Sequence, residues 1–160
     1  MDRINQILCH PLFIKYMNKN ADMELDRIFC KHNLEHVKEV ARISVILAKK
    51  EALPLVEDVV LAAAYLHDIG RHVQYETGER HAIVSAKMAP EILVDCGYCE
   101  DEIGAIVDAI ETHSDKCLVE EQSLRGILAK ADLCSRNCAA CKARVLCNWS
   151  EEEKNHDTNW

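Results

Sequence analysis

Five ionisable side chains fall where helical spacing calls for apolar ones, and all five are of types that bind divalent cations. His36 shares a face with Val40, Ile43 and Leu47, at steps of four, three and four. His67 continues the line Val56, Val60, Ala63; His113 continues Ile103, Ile106, Ile110; Asp132 follows Leu124 and Leu128. His81 leads Val84, Met88 and Ile92, with Pro90 inside that stretch. One histidine on an apolar face is ordinarily a hydrogen-bonded core residue. A buried carboxylate such as Asp132 is costly unless paired. A shared divalent cation relieves all five at once, because neutral imidazole and carboxylate are its natural ligands.

Asp68 is a separate sign. It falls in the last turn of the helix that carries His67, ahead of Gly70, where the macrodipole opposes a negative charge. A local rule broken beside a buried histidine is the kind of inconsistency found at functional positions. A second group of metal-binding type is made of thiols. Cys134, Cys138, Cys141 and Cys147 form C-x3-C-x2-C-x5-C directly after Asp132. Their density suits a structural zinc site with four thiolate ligands. An iron–sulfur cluster and simple packing as small hydrophobes are the alternatives. Cys9, Cys30, Cys96, Cys99 and Cys117 read as buried or incidental thiols.

The arrangement of His36, then His67-Asp68 within Ala62-Ala63-Ala64-Tyr65-Leu66-His67-Asp68-Ile69-Gly70, then Lys130-Ala131-Asp132 resembles the HD superfamily of metal-dependent phosphohydrolases. The resemblance covers about residues 31–135. It implies His36, His67, Asp68 and Asp132 as ligands of a first divalent ion, iron, manganese or similar. His81 and His113 resemble the two extra histidines of binuclear members, which would make Asp68 a bridge between two ions. The implied reaction is hydrolysis of a phosphate ester by metal-activated water, with Asp68 as a catalytic group. The Gly-Tyr-Pro motif of cyclic di-GMP enzymes is absent, which sets that substrate aside. Arg71, directly after the motif, is placed to hold a phosphate bidentately. Arg80 and His72 border the same segment, His32 lies one turn before His36, and Lys87 lies off the His81 face, in solvent. Two other function classes stay open: a non-catalytic metal- and nucleotide-binding sensor, and an interaction domain that uses the cysteine tail.

Composition narrows the partners. With 27 acidic against 19 basic residues, the formal charge is −8, which argues against a broad nucleic-acid surface. A small phosphorylated substrate, a nucleotide above all, fits better, and homo-oligomerisation stays open. No apolar run approaches the ~20 residues that cross a bilayer, and the start of the chain lacks the pattern of an export signal. The expected compartment is cytoplasmic, where nine cysteines are thiols or metal ligands rather than bridges.

Helices must position these groups. Apolar residues make up 49%, there are only 5 Gly and 3 Pro, and apolar spacing near 3.6 recurs almost throughout. The expectation is an all-α, single-domain HD-type bundle of about six to eight helices. Its parts would be an N-terminal helical extension over 1–30, a metal-binding core over 31–135, a cysteine-rich tail over 134–149 packed on the core, and an acidic, frayed end over 150–160. Helices are expected at about 2–18, 23–29, 33–51, 54–69, 79–96 (kinked or split at Pro90), 101–113 and 123–135. Residues 71–78 are expected as a loop.

Overall fold

Pro11 divides the N-terminal segment into α1 (Arg3–Cys9) and α2 (Pro11–Met23), where one helix was expected. Proline has no N–H to donate and pushes His10 into extended backbone, so it opens a helix instead of continuing one. The computed structural model describes residues 2–156, and among them are eight α-helices, two short 3₁₀ turns and no strand. The chain is therefore all-α, as its spacing indicates. No helix among the described residues is long and apolar enough to cross a membrane.

The short helix expected near 23–29 does not form. Glu24 is instead drawn inward, where it accepts from the His32 N–H at 2.6 Å, and the chain turns into a loop. Next come α3 (Leu34–Lys50), whose first turn is capped by Asn33 accepting from the His36 N–H, and α4 (Glu57–Leu66). The expected loop at 71–78 is in fact α5 (Arg71–Thr77), closed by Gly78 at φ 82°. Its residues tolerate helix well; the adjacent glycines, which suggested a loop, are its two caps. α6 (His81–Asp95) runs unbroken past Pro90, and α7 (Glu100–Thr112) and α8 (Leu124–Cys134) complete the bundle.

The core has α4 at its centre. Ala62, Ala63 and Ala64 are all fully buried, so this helix is apolar nearly all round and small enough for neighbours to close in. α3 packs on α4 and α8, and α7 packs on α4, α6 and α8. Ile43, Leu66, Ile106, Ile110, Ile127 and Leu128 fill the spaces between them. Arg3 fastens α1 to this bundle through Asp58 and Glu102, each at 2.7 Å, and lies 4.0 Å over the Tyr98 ring.

The acidic end is not frayed over residues 150–156. Asn155 Nδ2 donates to the carbonyls of Cys134 and Arg136, both at 2.8 Å, and buried Lys154 pairs with Glu151 at 2.6 Å. Those bonds outweigh the local acidity. Residues 157–160 lie outside the described residues.

One close approach sets where the metal-ligand candidates sit. The turn after α4 lies against α6, where the Gly70 N–H donates to Ser85 Oγ at 2.9 Å. A Cβ at residue 70 would stand 2.7 Å from both the Ser85 backbone nitrogen and Val84 Cγ1. Gly70→Ala is expected to destabilise the fold by about 1–3 kcal/mol, the usual cost of overpacking. A denaturant midpoint unchanged by this substitution would contradict the packing described.

Candidate metal centre

Helix ends, more than helix middles, carry the site. His67 caps the C-terminus of α4, His113 caps that of α7, and His81 is the first residue of α6. His36 stands in the first turn of α3, and Asp132 in the last turn of α8. Asp68 follows His67 in the turn before α5. Asn20, wholly buried on α2, holds that turn: its Nδ2 donates to the Asp68 carbonyl, and its Oδ1 accepts from the His72 N–H, both at 2.8 Å.

Four imidazoles are oriented by one device. His67 Nδ1–H donates to the Ala64 carbonyl and His113 Nδ1–H to the Ile110 carbonyl, both at 2.6 Å and three residues back. His81 Nδ1 lies 2.6 Å from Gln74 Oε1 and 2.5 Å from Arg71 Nη1, and His36 Nδ1 faces Ser135 Oγ at 3.3 Å. With Nδ1 held by a partner, Nε2 is the ring atom left to meet a metal. All four Nε2 atoms face Asp68. Its Oδ2 lies 3.4 Å from His36 Nε2 and 3.2 Å from His67 Nε2; its Oδ1 lies 3.3 Å from His81 Nε2 and 3.8 Å from His113 Nε2. Asp132 Oδ1 sits 3.2 Å from His36 Nε2 and 3.9 Å from His67 Nε2.

Such a cluster fits cations. Both Asp68 oxygens and His67 Nε2 are buried with no hydrogen-bond partner, a costly state for a carboxylate. The Nε2 atoms of His81 and His113 are 3.2 Å apart, and two lone pairs at that distance repel unless a cation stands by them. Three overlapping triads have donor atoms all within 4.8 Å of one another: His36, His67 and Asp68; His67, His113 and Asp132; Asp68, His81 and His113. Burial pushes the Asp68 and Asp132 carboxyls up. His67 and His32 beside the first, and Arg136 and His36 beside the second, outweigh it and hold both well below the usual carboxylate range. Burial lowers His113, and lowers His81 to about 3. Burial lowers His67 too, but Asp68 and Asp132 outweigh it and raise it, so its proton is one that a divalent transition metal would displace on entering this set of carboxylates and imidazoles.

The structure thus brings His36, His67, Asp68, His81, His113 and Asp132 together, and Arg71 with them. Arg71 Nη2 donates to His32 Nε2 at 2.6 Å, and Nη1 lies 3.3 Å from Gln74 Oε1, against the His81 ring. His32 lines the same cavity, and burial foremost lowers its pKa to about 4. His72 does not reach the cavity; it bonds Asn20 and stacks on Tyr16. Arg80 is exposed at the start of α6, and Lys87 pairs with Glu79 in solvent.

Of the four tail cysteines, Cys138, Cys141 and Cys147 line the cavity over the cluster. Cys134 is turned away, partly buried against the core and near Lys130. Cys30 lines the cavity in its place.

Three further residues escaped the sequence reading. Arg136 is buried and bonds Asp132 at 2.8 Å; its signal was the four-residue step from Asp132. Asn20 and Glu24 gave none, since each acts across the fold. Glu24, 1% exposed, accepts from His32 Nδ1 and from the Tyr75 hydroxyl, both at 2.5 Å, and so positions Arg71 through His32.

A family model for the HD domain matches residues 33–137. The chain belongs to the HD domain family. Over 97% of both chains it is 41% identical to an uncharacterized protein of Clostridium beijerinckii. It is 36% identical to ribonuclease Y of Salinispora arenicola over 103 residues, which are 64% of this chain but only 16% of that protein. The crystal structure of a predicted HD superfamily hydrolase from an uncultured Thermotogales bacterium superposes with a TM-score of 0.62 at 26% identity, covering 88% of this chain and 80% of that one. The matched range includes His36, His67, Asp68, His81, His113 and Asp132.

Glu24 has a measurable signature. Burial pushes its carboxyl up, but the bonds from His32 and Tyr75 prevail and lower it to about 2. Its folded pKa lies below the unfolded one, so the stabilisation is present above about pH 4.5 and is lost as pH falls towards 2. Thermal melts should show wild type losing on the order of 2–3 kcal/mol more than Glu24→Gln across that window. Parallel pH curves for the two proteins would refute the assignment.

Proposed function

We propose that this HD domain is a metal-dependent phosphohydrolase acting on a phosphate ester of a nucleotide or similar small molecule. One observation carries the reading: Asp68 turns one bare oxygen to His36 and His67 and the other to His81 and His113. His36, His67, Asp68 and Asp132 would hold one divalent ion; His81 and His113, with Asp68 between, would hold a second. Such ions, when bound, make water nucleophilic near neutral pH and neutralise phosphoryl charge.

The chain's own residues supply the rest. Asp68 and Asp132 hold negative charge at the reacting centre, and Arg136 keeps Asp132 in place. Arg71 offers a planar donor pair for phosphoryl oxygens. The cavity over the cluster, about 260 Å³, is also lined by Lys116, Arg144, Phe29 and Trp149. Cations gathered there in a chain of net charge −8 favour an anionic ligand, and the two aromatic rings favour a planar base. The similarity to ribonuclease Y supports a second reading, an RNA phosphodiester as the substrate.

Protein purified without oxygen and supplied with Mn2+ or Fe2+ should hydrolyse at least one of a panel of nucleoside mono- and polyphosphates, dinucleotides and short RNA. Asp68→Ala should fall to background. Arg71→Ala should raise KM roughly tenfold or more, a hydrogen bond to a charged group being worth about 1.5–3 kcal/mol. Undiminished turnover by Asp68→Ala, or a metal-loaded protein inert to the whole panel, would overturn the catalytic reading; the second outcome would favour a sensor.

A further inference from the structure

Six cationic side chains line the cavity: Arg27, Arg71, Lys116, Arg136, Arg144 and Lys154. Five of them have a carboxylate beside them. Arg136 holds Asp132 at 2.8 Å, Lys116 holds Glu153, and Glu151 accepts from Arg144 at 2.5 Å and from Lys154 at 2.6 Å. Arg27 Nε stands 3.9 Å from Glu24. Arg71 makes no ion pair among the described residues; its side-chain partners are His32, Gln74 and His81. We propose that buried Glu24 and His32 are positioning residues that present Arg71 as the cavity's one uncommitted cation, so that the site selects ligands with one phosphoryl group over those with several. This rests on the reading of the cavity as a phosphate-ester site.

The direction of the hydrogen bonds explains the holder. A guanidinium has no acceptor, so Arg71 Nη2–H donates to His32 Nε2, 2.6 Å away. An imidazole that accepts at Nε2 keeps its proton on Nδ1, and that N–H donates to Glu24 Oε1 at 2.5 Å. Glu24 is fixed in turn by the Tyr75 hydroxyl and the His32 backbone N–H. A neutral ring thus stands between the acid and the guanidinium. Arg71 is held in place with its charge intact, which direct pairing with Glu24 would cancel. Its Nε–H is buried and has no partner. Together with an Nη–H it makes the fork that meets two oxygens of one phosphoryl group.

Elsewhere on the wall, charge is already balanced. Lys116, Arg144 and Lys154 pair with Glu151 and Glu153, which lie on the tail beyond the HD match. Each such pair is weak in solvent, and a phosphate displaces its carboxylate at small cost. The displaced carboxylate stays close by, however, and repels the phosphate that replaced it. A second phosphoryl group gains little from this wall.

Binding is read by calorimetry on the intact Mn2+-loaded chain, with methylene analogues of a nucleoside monophosphate and diphosphate. Carbon replaces each bridging oxygen in these probes, so no turnover intervenes. Wild type should bind the two within about threefold of each other. Glu151→Gln, on the exposed tail, leaves Arg144 and Lys154 without their carboxylate. It should favour the diphosphate analogue by about threefold or more over wild type, with the monophosphate analogue unchanged. His32→Ala should weaken the monophosphate analogue about tenfold at unchanged metal content, and should add nothing in an Arg71→Ala background. A merely structural effect of His32 would add to that of Arg71→Ala. A wild-type preference of about tenfold or more for the diphosphate analogue would overturn the proposal. So would binding of neither analogue, indifference to Glu151→Gln, additive losses, or metal lost with His32→Ala. A chain that binds in the expected pattern yet hydrolyses nothing supports this inference and sinks the catalytic reading alone.

Discussion

The burial of the Asp68 carboxylate organises this protein. A bare anion inside a helical core costs several kcal/mol unless positive charge or donors surround it. Here neither oxygen has a hydrogen bond, and what surrounds them is a ring of imidazole nitrogens. The core tolerates this because the imidazoles and the carboxylate together make a receptor for cations. The arrangement stores an unmet electrostatic demand at one point and aims every nearby helix end at it.

Holding that point steady requires support from far along the chain. Each ring that faces Asp68 is pinned through its second nitrogen, to a carbonyl three residues back for His67 and His113 and to a side chain for His36 and His81. Asn20 fixes the turn under Asp68 from α2, and Gly70 lets that turn approach α6. Glu24, His32 and Arg71 form a further chain of contacts that leads from a buried acid to a guanidinium in the cavity. The N-terminal helices are thus part of the site's support, although the HD match begins at residue 33.

How much of this the residues disclosed in order depended on range. His36, His67, His113 and Asp132 were legible because helical period places them among apolar neighbours, and the burial pattern repeats that period. Asp68 was legible as a charge in the wrong place. Arg136 was within reach, one turn beyond Asp132. Local signals misled at several segments, three of them near the site. Pro11 splits the first helix, Glu24 unwinds the second, and glycines taken for a loop at 71–78 cap α5.

Taken alone, the sequence determined the helical class, the membership of the imidazole–carboxylate set and the family to which that set belongs. Period and residue type are local properties, and they survive without coordinates. Only the tertiary structure decided which nitrogen of each ring faces inward, that Asp68 divides its oxygens between two pairs of histidines, and that Cys30 lines the cavity where Cys134 does not. Two residues beyond Asp132, Cys134 is turned by about 200° on an α-helix, so proximity in sequence points it away from the cavity. Cys30 reaches the cavity from the loop before α3, a helix that packs against α8.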